Sequence, residues 1–168
     1  EKTMDDGKTW YYRGLIYAAI DTTSNTTLKA LDEDPFKVAM ESFEKADQLG
    51  KAGTEYFTTD PSNVIPVTKT QQMGQLANYY LNKGAALYQN DSLPEALENF
   101  EKTQVVLPSP DDTIAYFYAG IVANSMEEHD KAIENLEKYL ENGGTSADAF
   151  SVIINTYSGP KEDKVKAL

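Results

Sequence analysis

Residues 80–108 read YLNKGAALYQNDSLPEALENFEKTQVVLP, and residues 116–144 read YFYAGIVANSMEEHDKAIENLEKYLENGG. Both stretches carry the same skeleton. Measured from Tyr80, the residues Gly84, Leu87, Ala96, Phe100 and Pro108 lie at offsets 4, 7, 16, 20 and 28. Measured from Tyr116, the residues Gly120, Ala123, Ala132, Leu136 and Gly144 lie at the same offsets. A third copy starts at Trp10, Gly14 and Tyr17 and resumes after an insertion at Ala39, Phe43 and Ala46. A fourth half-copy follows one period after Tyr116, with Phe150, Ile153, Ile154 and Tyr157. Self-similarity at a period of about 20–50 residues marks a stacked array of one structural unit.

The spacing has a physical reading as pairs of helices. Gly84 and Gly120 omit a side chain where the first helix of a pair meets the second, so the two axes can approach closely. Ala96 and Ala132 do the same from the second helix. Tyr80, Phe100, Tyr116 and Leu136 then fill the space between pairs, and each pair covers the apolar face its neighbour leaves open. Local signals agree with this register. Asp34 followed by Pro35 is an N-cap with proline at the first helical position. Ser92 with Glu95 reads as a capping box, and Asp130 as the cap of the helix carrying Ala132. Gly143 and Gly144 end that helix, and Pro108 follows the one before. Glu41–Lys45, Glu98–Lys102 and Glu134–Lys138 are i,i+4 pairs on solvated faces, worth about 0.2–0.5 kcal/mol each. The helices predicted in this way cover 7–20, 34–49, 68–90, 92–106, 111–125, 130–141 and 146–157, and 160–168 opens one more with Pro160 in its first turn.

The pattern resembles the tetratricopeptide (TPR) consensus, in which a Trp-like residue is followed by Gly and Tyr, then Ala, Phe, Ala and a closing Pro. The resemblance implies an all-α fold: a TPR-type helical-repeat solenoid, a right-handed superhelix of antiparallel helix pairs. It implies one domain over 1–168. Repeat 1 covers about 7–53, repeat 2 about 77–110, repeat 3 about 113–146, and a partial repeat 4 about 147–168. The step from Tyr80 to Tyr116 is slightly longer than the usual period, and the turn at Pro108, Ser109 and Pro110 can absorb the excess.

Two stretches depart from the consensus. Tyr17 and Ala39 stand much further apart than the family's spacing allows, so 21–33 is an insertion, rich in Thr, Ser and Asn up to Thr27. It reads as a tolerated surface loop, because lengthening a loop costs little entropy; the alternative is a loop on the binding face, where insertions in solenoids often map. The second departure is the connection 51–67, where Tyr56, Phe57, Val64, Ile65 and Val67 are interrupted by Pro61 and Pro66. Its apolar residues are expected to fold down over the core. This connection, and the Arg-Gly-Leu-Ile-Tyr run at 13–17, resemble exported bacterial TPR proteins. That implies a periplasmic or exported location, with a cytoplasmic one as the alternative.

TPR proteins hold ligands in the concave groove lined by the first helix of each pair. Carried over residue by residue, the groove positions are Lys8, Tyr11, Tyr12 and Leu15 in repeat 1. In repeat 2 they are Asn78, Leu81, Asn82, Ala85, Tyr88 and Gln89. Repeat 3 gives Ile114, Phe117, Tyr118, Ile121 and Asn124, and repeat 4 gives Asp148, Ser151, Val152 and Asn155. Tyr is a stiff apolar anchor with a hydroxyl. Asn can pair with both N–H and C=O of an extended peptide. The alternative is that half of these aromatics complete the packing between neighbouring helices. The family's carboxylate clamp needs cations that this chain lacks: Tyr11 and Leu15 replace the first Lys and Asn, and Ile114 and Tyr118 replace the last two cations. Only Asn82 matches, so that function is set aside.

The implied function is therefore a protein-binding or peptide-binding scaffold. The alternative is a self-assembly element that forms a homodimer through the C-terminal repeat edge. A formal net charge of −12 disfavours nucleic acid and anionic lipid and suits a neutral or basic partner. No apolar stretch approaches the ~20 residues of a membrane span. With no cysteine, thiol chemistry, disulfides and Cys-ligated metals are ruled out. His129 is the single histidine and sits beside Glu127, Glu128 and Asp130 in a turn, a poor basis for a zinc site. No nucleophile elbow, phosphate loop or EF-hand loop is present. No cofactor is expected, and no enzyme activity.

Overall fold

Side-chain caps start several of the helices in the computed structural model, which describes residues 4–51, 53–59, 66–107 and 113–159. Asp6 accepts from the N–H of Lys8 and opens α1 (Gly7–Thr22). Asn25 accepts from Thr27 and Leu28 and opens the single turn α2 (Thr26–Lys29). Asp34 accepts from Lys37, with Pro35 at the first position of α3 (Pro35–Leu49). Further along come α4 (Lys69–Gln89), α5 (Leu93–Val106), α6 (Ile114–Ser125), α7 (His129–Glu141) and α8 (Ala147–Ser158), the last capped by Ser146. The fold is all-α, built from paired helices, with one small addition. Phe57–Thr58 (β1) pairs antiparallel with Val67–Thr68 (β2), in the register Phe57 to Thr68 and Thr58 to Val67.

The chain divides into two compact units, Glu1–Gln72 and Met73–Leu168. In the first, α1 packs along α3. In the second, α5 packs on α6, α6 on α7, and α8 on both α6 and α7. The joint between paired helices is the same wherever it occurs. A Cβ built on Gly14 would lie 2.6 Å from the Phe43 ring. On Gly84 it would lie 2.8 Å from the Phe100 ring, and on Gly120 2.5 Å from Leu136 Cγ. Phe100 and Leu136 are fully buried, and burial of such side chains is worth about 1.5–3 kcal/mol each. The glycines are therefore what lets a large residue of the second helix reach the first helix's backbone. The fourth copy breaks this rule: Ile154 stands one period after Gly120 and is 46 % exposed.

The residue before each large one is polar and buried and bonds back within its own helix, while Asn99 Oδ1 is left without a hydrogen-bond partner among the described residues. Ser42 Oγ donates to the Val38 carbonyl at 2.6 Å, Asn99 Nδ2 to Glu95 at 2.7 Å, and Asn135 Nδ2 to Lys131 at 3.0 Å. Each side chain folds back on the carbonyl one turn earlier, the usual outlet for a short polar residue inside a helix. Ser42 also receives Arg13 Nη1 at 2.7 Å, and Asn135 Oδ1 receives Gln104 Nε2 at 2.8 Å, which ties α7 to α5. The sequence reading did not single out this position.

Three helix ends share one turn geometry. Asp91, Glu127 and Gly143 hold positive φ of 59°, 61° and 91°. In each case the next N–H reaches back across the turn: Ser92 to Leu87, Glu128 to Ala123, and Gly144 to Tyr139, at 2.9 Å each. This is the Schellman termination, and only the third of these turns uses the residue that adopts it without strain. It explains two corrections. Ser92 makes no side-chain cap bond, because its backbone is already committed to the turn, so the capping box with Glu95 does not form. The cap residue of α7 is Glu128, which places Asp130 inside the first turn.

The connection between α3 and α4 behaves as a strap. Tyr56 is buried, stacks on Tyr11 with ring centroids 5.3 Å apart, and donates its hydroxyl to the Ala46 carbonyl at 2.8 Å. Gly7 and Gly50 leave room for that hydroxyl, since a Cβ on either would collide with it. Phe57 is 51 % exposed, contrary to the expectation that it packs inward. Consecutive residues of an extended segment face opposite sides, and Tyr56 has taken the inner one. Insertion residues 24–31 are exposed, in agreement with a surface loop, though the loop contains the turn α2. Expectations for Pro61, Val64, Ile65, the turn at 108–110 and the helix at 160–168 fall outside the described residues. Two of the expected i,i+4 pairs close, Glu98–Lys102 at 3.0 Å and Glu134–Lys138 at 2.7 Å.

Candidate binding surface

Each groove position can be placed within its own unit. In the first unit, Tyr12 is 41 % exposed on α1 with Lys8 Nζ 5.9 Å from its ring centroid, and Leu15 is half-buried. Tyr11 is not a surface residue at all. It is fully buried between Tyr56 and Phe43, and its hydroxyl donates to Gln72 Oε1, while Gln72 Nε2 donates to Thr58 Oγ1 at 2.6 Å. The strap covers the part of α1 that a shorter connection would leave open. Burial pushes the Tyr11 phenol up to about 12.

In the second unit, Asn78 and Asn82 are exposed on α4, while Tyr88 is half-buried against the core cluster around Phe100 and Ala119. On α6, Tyr118 stacks on the buried Phe100 ring at 5.5 Å and 18°, yet keeps 37 % of its surface exposed. Phe117 is half-buried against Tyr118 and Tyr139, at 5.5 and 5.2 Å. Asn124 is half-buried near the end of α6, and its carbonyl accepts from Glu127 in the Schellman turn. Asn155 is exposed on α8. The structure thus brings Phe117 and Tyr118 together on one helix and leaves the amides of Asn78, Asn82 and Asn155 facing solvent. Of two further exposed side chains, Ile114 belongs to the groove positions and Tyr79 does not. Ile114 lies one turn before Tyr118 and is 51 % exposed, and Tyr79 is 37 % exposed with Lys83 Nζ 5.8 Å over its ring. For Tyr79 the signal was its position directly after Asn78, on the same outward arc of α4.

The chemistry around His129 is sparse. Glu127, Glu128, His129, Asp130 and Lys131 line an open hollow of about 450 Å³. Lys131 is drawn to Glu128 at 3.1 Å and Glu101 at 3.2 Å, and these hydrogen bonds hold its ammonium charged. Among the described residues, no group of three or more His, Cys, Asp or Glu side chains is placed to hold a metal ion. Nor does any described helix have the length and apolarity to cross a membrane.

No family model matches the chain. No curated protein matches it either. Among solved structures, one titled "Crystal structure of MamA" aligns at 22 % identity and a TM-score of 0.49, over 97 % of this chain and 72 % of that one.

Proposed function

We propose that this chain is a binding scaffold that holds a peptide or protein segment in a concave groove lined by the first helix of each pair, through exposed residues of α4, α6 and α8 in its second unit. The observation that carries the reading is Tyr118. Its ring is locked by stacking on Phe100 and still presents more than a third of its surface. A rigid aromatic of that kind loses little entropy on binding, the property that makes Tyr a frequent hot spot. Exposed Asn78, Asn82 and Asn155 supply donors and acceptors on the flanking helices. A location outside the cytoplasm belongs to the same reading and rests on the resemblance of 13–17 and 51–67 to exported TPR proteins.

Affinity capture from the native source tests it, with the intact chain as bait. The double substitution Asn78→Ala and Asn82→Ala touches no buried contact. It should reduce recovery of the captured partner at least about tenfold while the melting temperature stays within the scatter of a surface change. Equal recovery of the same proteins sinks the assignment.

A second reading has its own observation. Phe150 and Ile154, one turn apart on α8, are 49 % and 46 % exposed. Self-association through them predicts a mass in solution that rises with concentration and an Ile154→Glu variant that stays monomeric. A wild-type protein that is monomeric at high concentration removes this reading.

A further inference from the structure

Charge is segregated between the two kinds of helix in the second unit. The exposed residues of the first-type helices are Gln75, Asn78, Tyr79, Asn82, Ala86 and Gln89 on α4, and Ile114, Tyr118 and Ser125 on α6. On α8 they are Ala147, Asp148, Phe150, Ser151, Ile154, Asn155 and Ser158. Asp148 is the one charged residue among them, and α6 carries no charged residue along its whole length. Lys83 of α4 is half-buried, with its ammonium over the Tyr79 ring. The second-type helices carry more charge: the exposed positions of α5 are Pro94, Glu95, Glu98 and Val105, and those of α7 are all charged, Asp130, Glu134, Glu137, Lys138 and Glu141. A chain with a net charge of −12 has therefore kept charge, Asp148 apart, off the exposed positions of these first-type helices in its second unit. Burial does not account for this, because these positions are exposed, and solubility favours charge at exposed positions.

We infer that the partner of this face is an uncharged, extended peptide segment, bound through its backbone amides and apolar side chains. The inference rests on the binding surface proposed above and specifies its ligand. Amide side chains at Asn78, Asn82 and Asn155 each offer a donor and an acceptor, the complement of a peptide unit. Tyr118 and Ile114 offer apolar surface for alternate side chains of an extended strand. A charged ligand side chain docked here would lose water and gain no counter-charge except near Asp148 and Lys83, and an unpaired desolvated charge is a strong means of rejecting a wrong ligand. The overall negative field acts against acidic peptides at long range in addition.

A random peptide library displayed as internal segments, selected against the intact chain, tests the inference. The selected sequences should be depleted in Asp, Glu, Lys and Arg relative to the input. A selected peptide, synthesised with blocked termini, should change affinity less than about twofold between about 0.05 and about 0.5 M salt. Its affinity should fall about tenfold or more with Asn82→Lys, which puts a charge on the face, and with Asn82→Ala. Basic selected peptides whose affinity falls tenfold over that salt range overturn the neutrality of the ligand while leaving the surface assignment standing. Neutral peptides that bind Asn78→Ala/Asn82→Ala as well as wild type overturn the surface assignment instead. No enrichment over background overturns both.

Discussion

The two units solve one packing problem in different ways. Both are built on a glycine facing a large residue of the second helix, Gly14 with Phe43 in the first, and Gly84 with Phe100 and Gly120 with Leu136 in the second. The second unit then packs α5 on α6, α6 on α7, and α8 on both α6 and α7. The first unit contains a single pair, and a single pair cannot bury its outer face alone. Its cover is the strap, with Tyr56 wedged between Tyr11 and the end of α3 and β1 paired to β2. The comparison shows that the joint is transferable and the closure is not. Within the first unit, aromatic area and hydrogen bonds from a connection supply the cover.

The comparison can be broken first at the joint. Phe100→Ala should cost about 3–5 kcal/mol, because the residue is fully buried and its cavity is bounded by the Gly84 backbone. Denaturant titration gives the loss, and amide exchange should show it in α5 and α6. A cost under about 1 kcal/mol means the joint does not organise the pair.

The strap makes the first unit sensitive to alkali. Burial raises the phenols of Tyr11 and Tyr56 above their usual range, Tyr11 to about 12. A raised folded-state value means the stability is fully present below the unfolded value of 10.0 and is lost as pH rises toward about 12. The loss should be on the order of 1–2 kcal/mol across that window, allowing for screening. Tyr11→Phe should flatten the pH dependence of amide exchange in α1, and an unchanged profile argues against burial of that phenol.

A smaller effect separates the strap's hydrogen bond from its area. Tyr56→Phe keeps the stack on Tyr11 but removes the bond to the Ala46 carbonyl, for a loss of about 0.5–1.5 kcal/mol. The second unit should not respond. The smallest expected change is a gain. Glu127 holds φ of 61°, so Glu127→Gly should relieve strain and raise the melting temperature by the equivalent of about 0.5–1 kcal/mol, less the entropy that glycine adds to the unfolded chain. A drop in melting temperature would show that Glu127's side chain outweighs its backbone.

Much of this architecture was legible in spacing, because a glycine that must admit Phe or Leu sits at a fixed offset from it. Gly84 to Phe100 and Gly120 to Leu136 are the same step in the two uninterrupted copies. The insertion in the first copy was readable for the same reason, since Gly14 and Phe43 stand further apart than that step. The two short strands were not readable, because they have no period to detect. The burial of Tyr11 was hidden as well. Its position was assigned from a family whose connections are short, whereas here Tyr56, far downstream, covers it. Ser92 and Asp130 were misplaced because backbone turns at Asp91 and Glu127 had already ended the preceding helices; Asp tolerates positive φ and gives a weak signal, and Glu gives none. The buried Ser42, Asn99 and Asn135 could have been found, since all three precede the large residue of the joint. The binding face was legible as a set of positions, while its lack of charge emerged only when exposure separated the two helix types.

The most direct measurement is a double-mutant cycle at Gly120 and Leu136. If close approach is what the glycine provides, Gly120→Ala alone is costly, and Leu136→Ala recovers part of that cost by removing the Cγ atom that the new methyl group would meet. The account predicts a coupling of about 1–2 kcal/mol of compensating sign, and additivity within about 0.5 kcal/mol would contradict it.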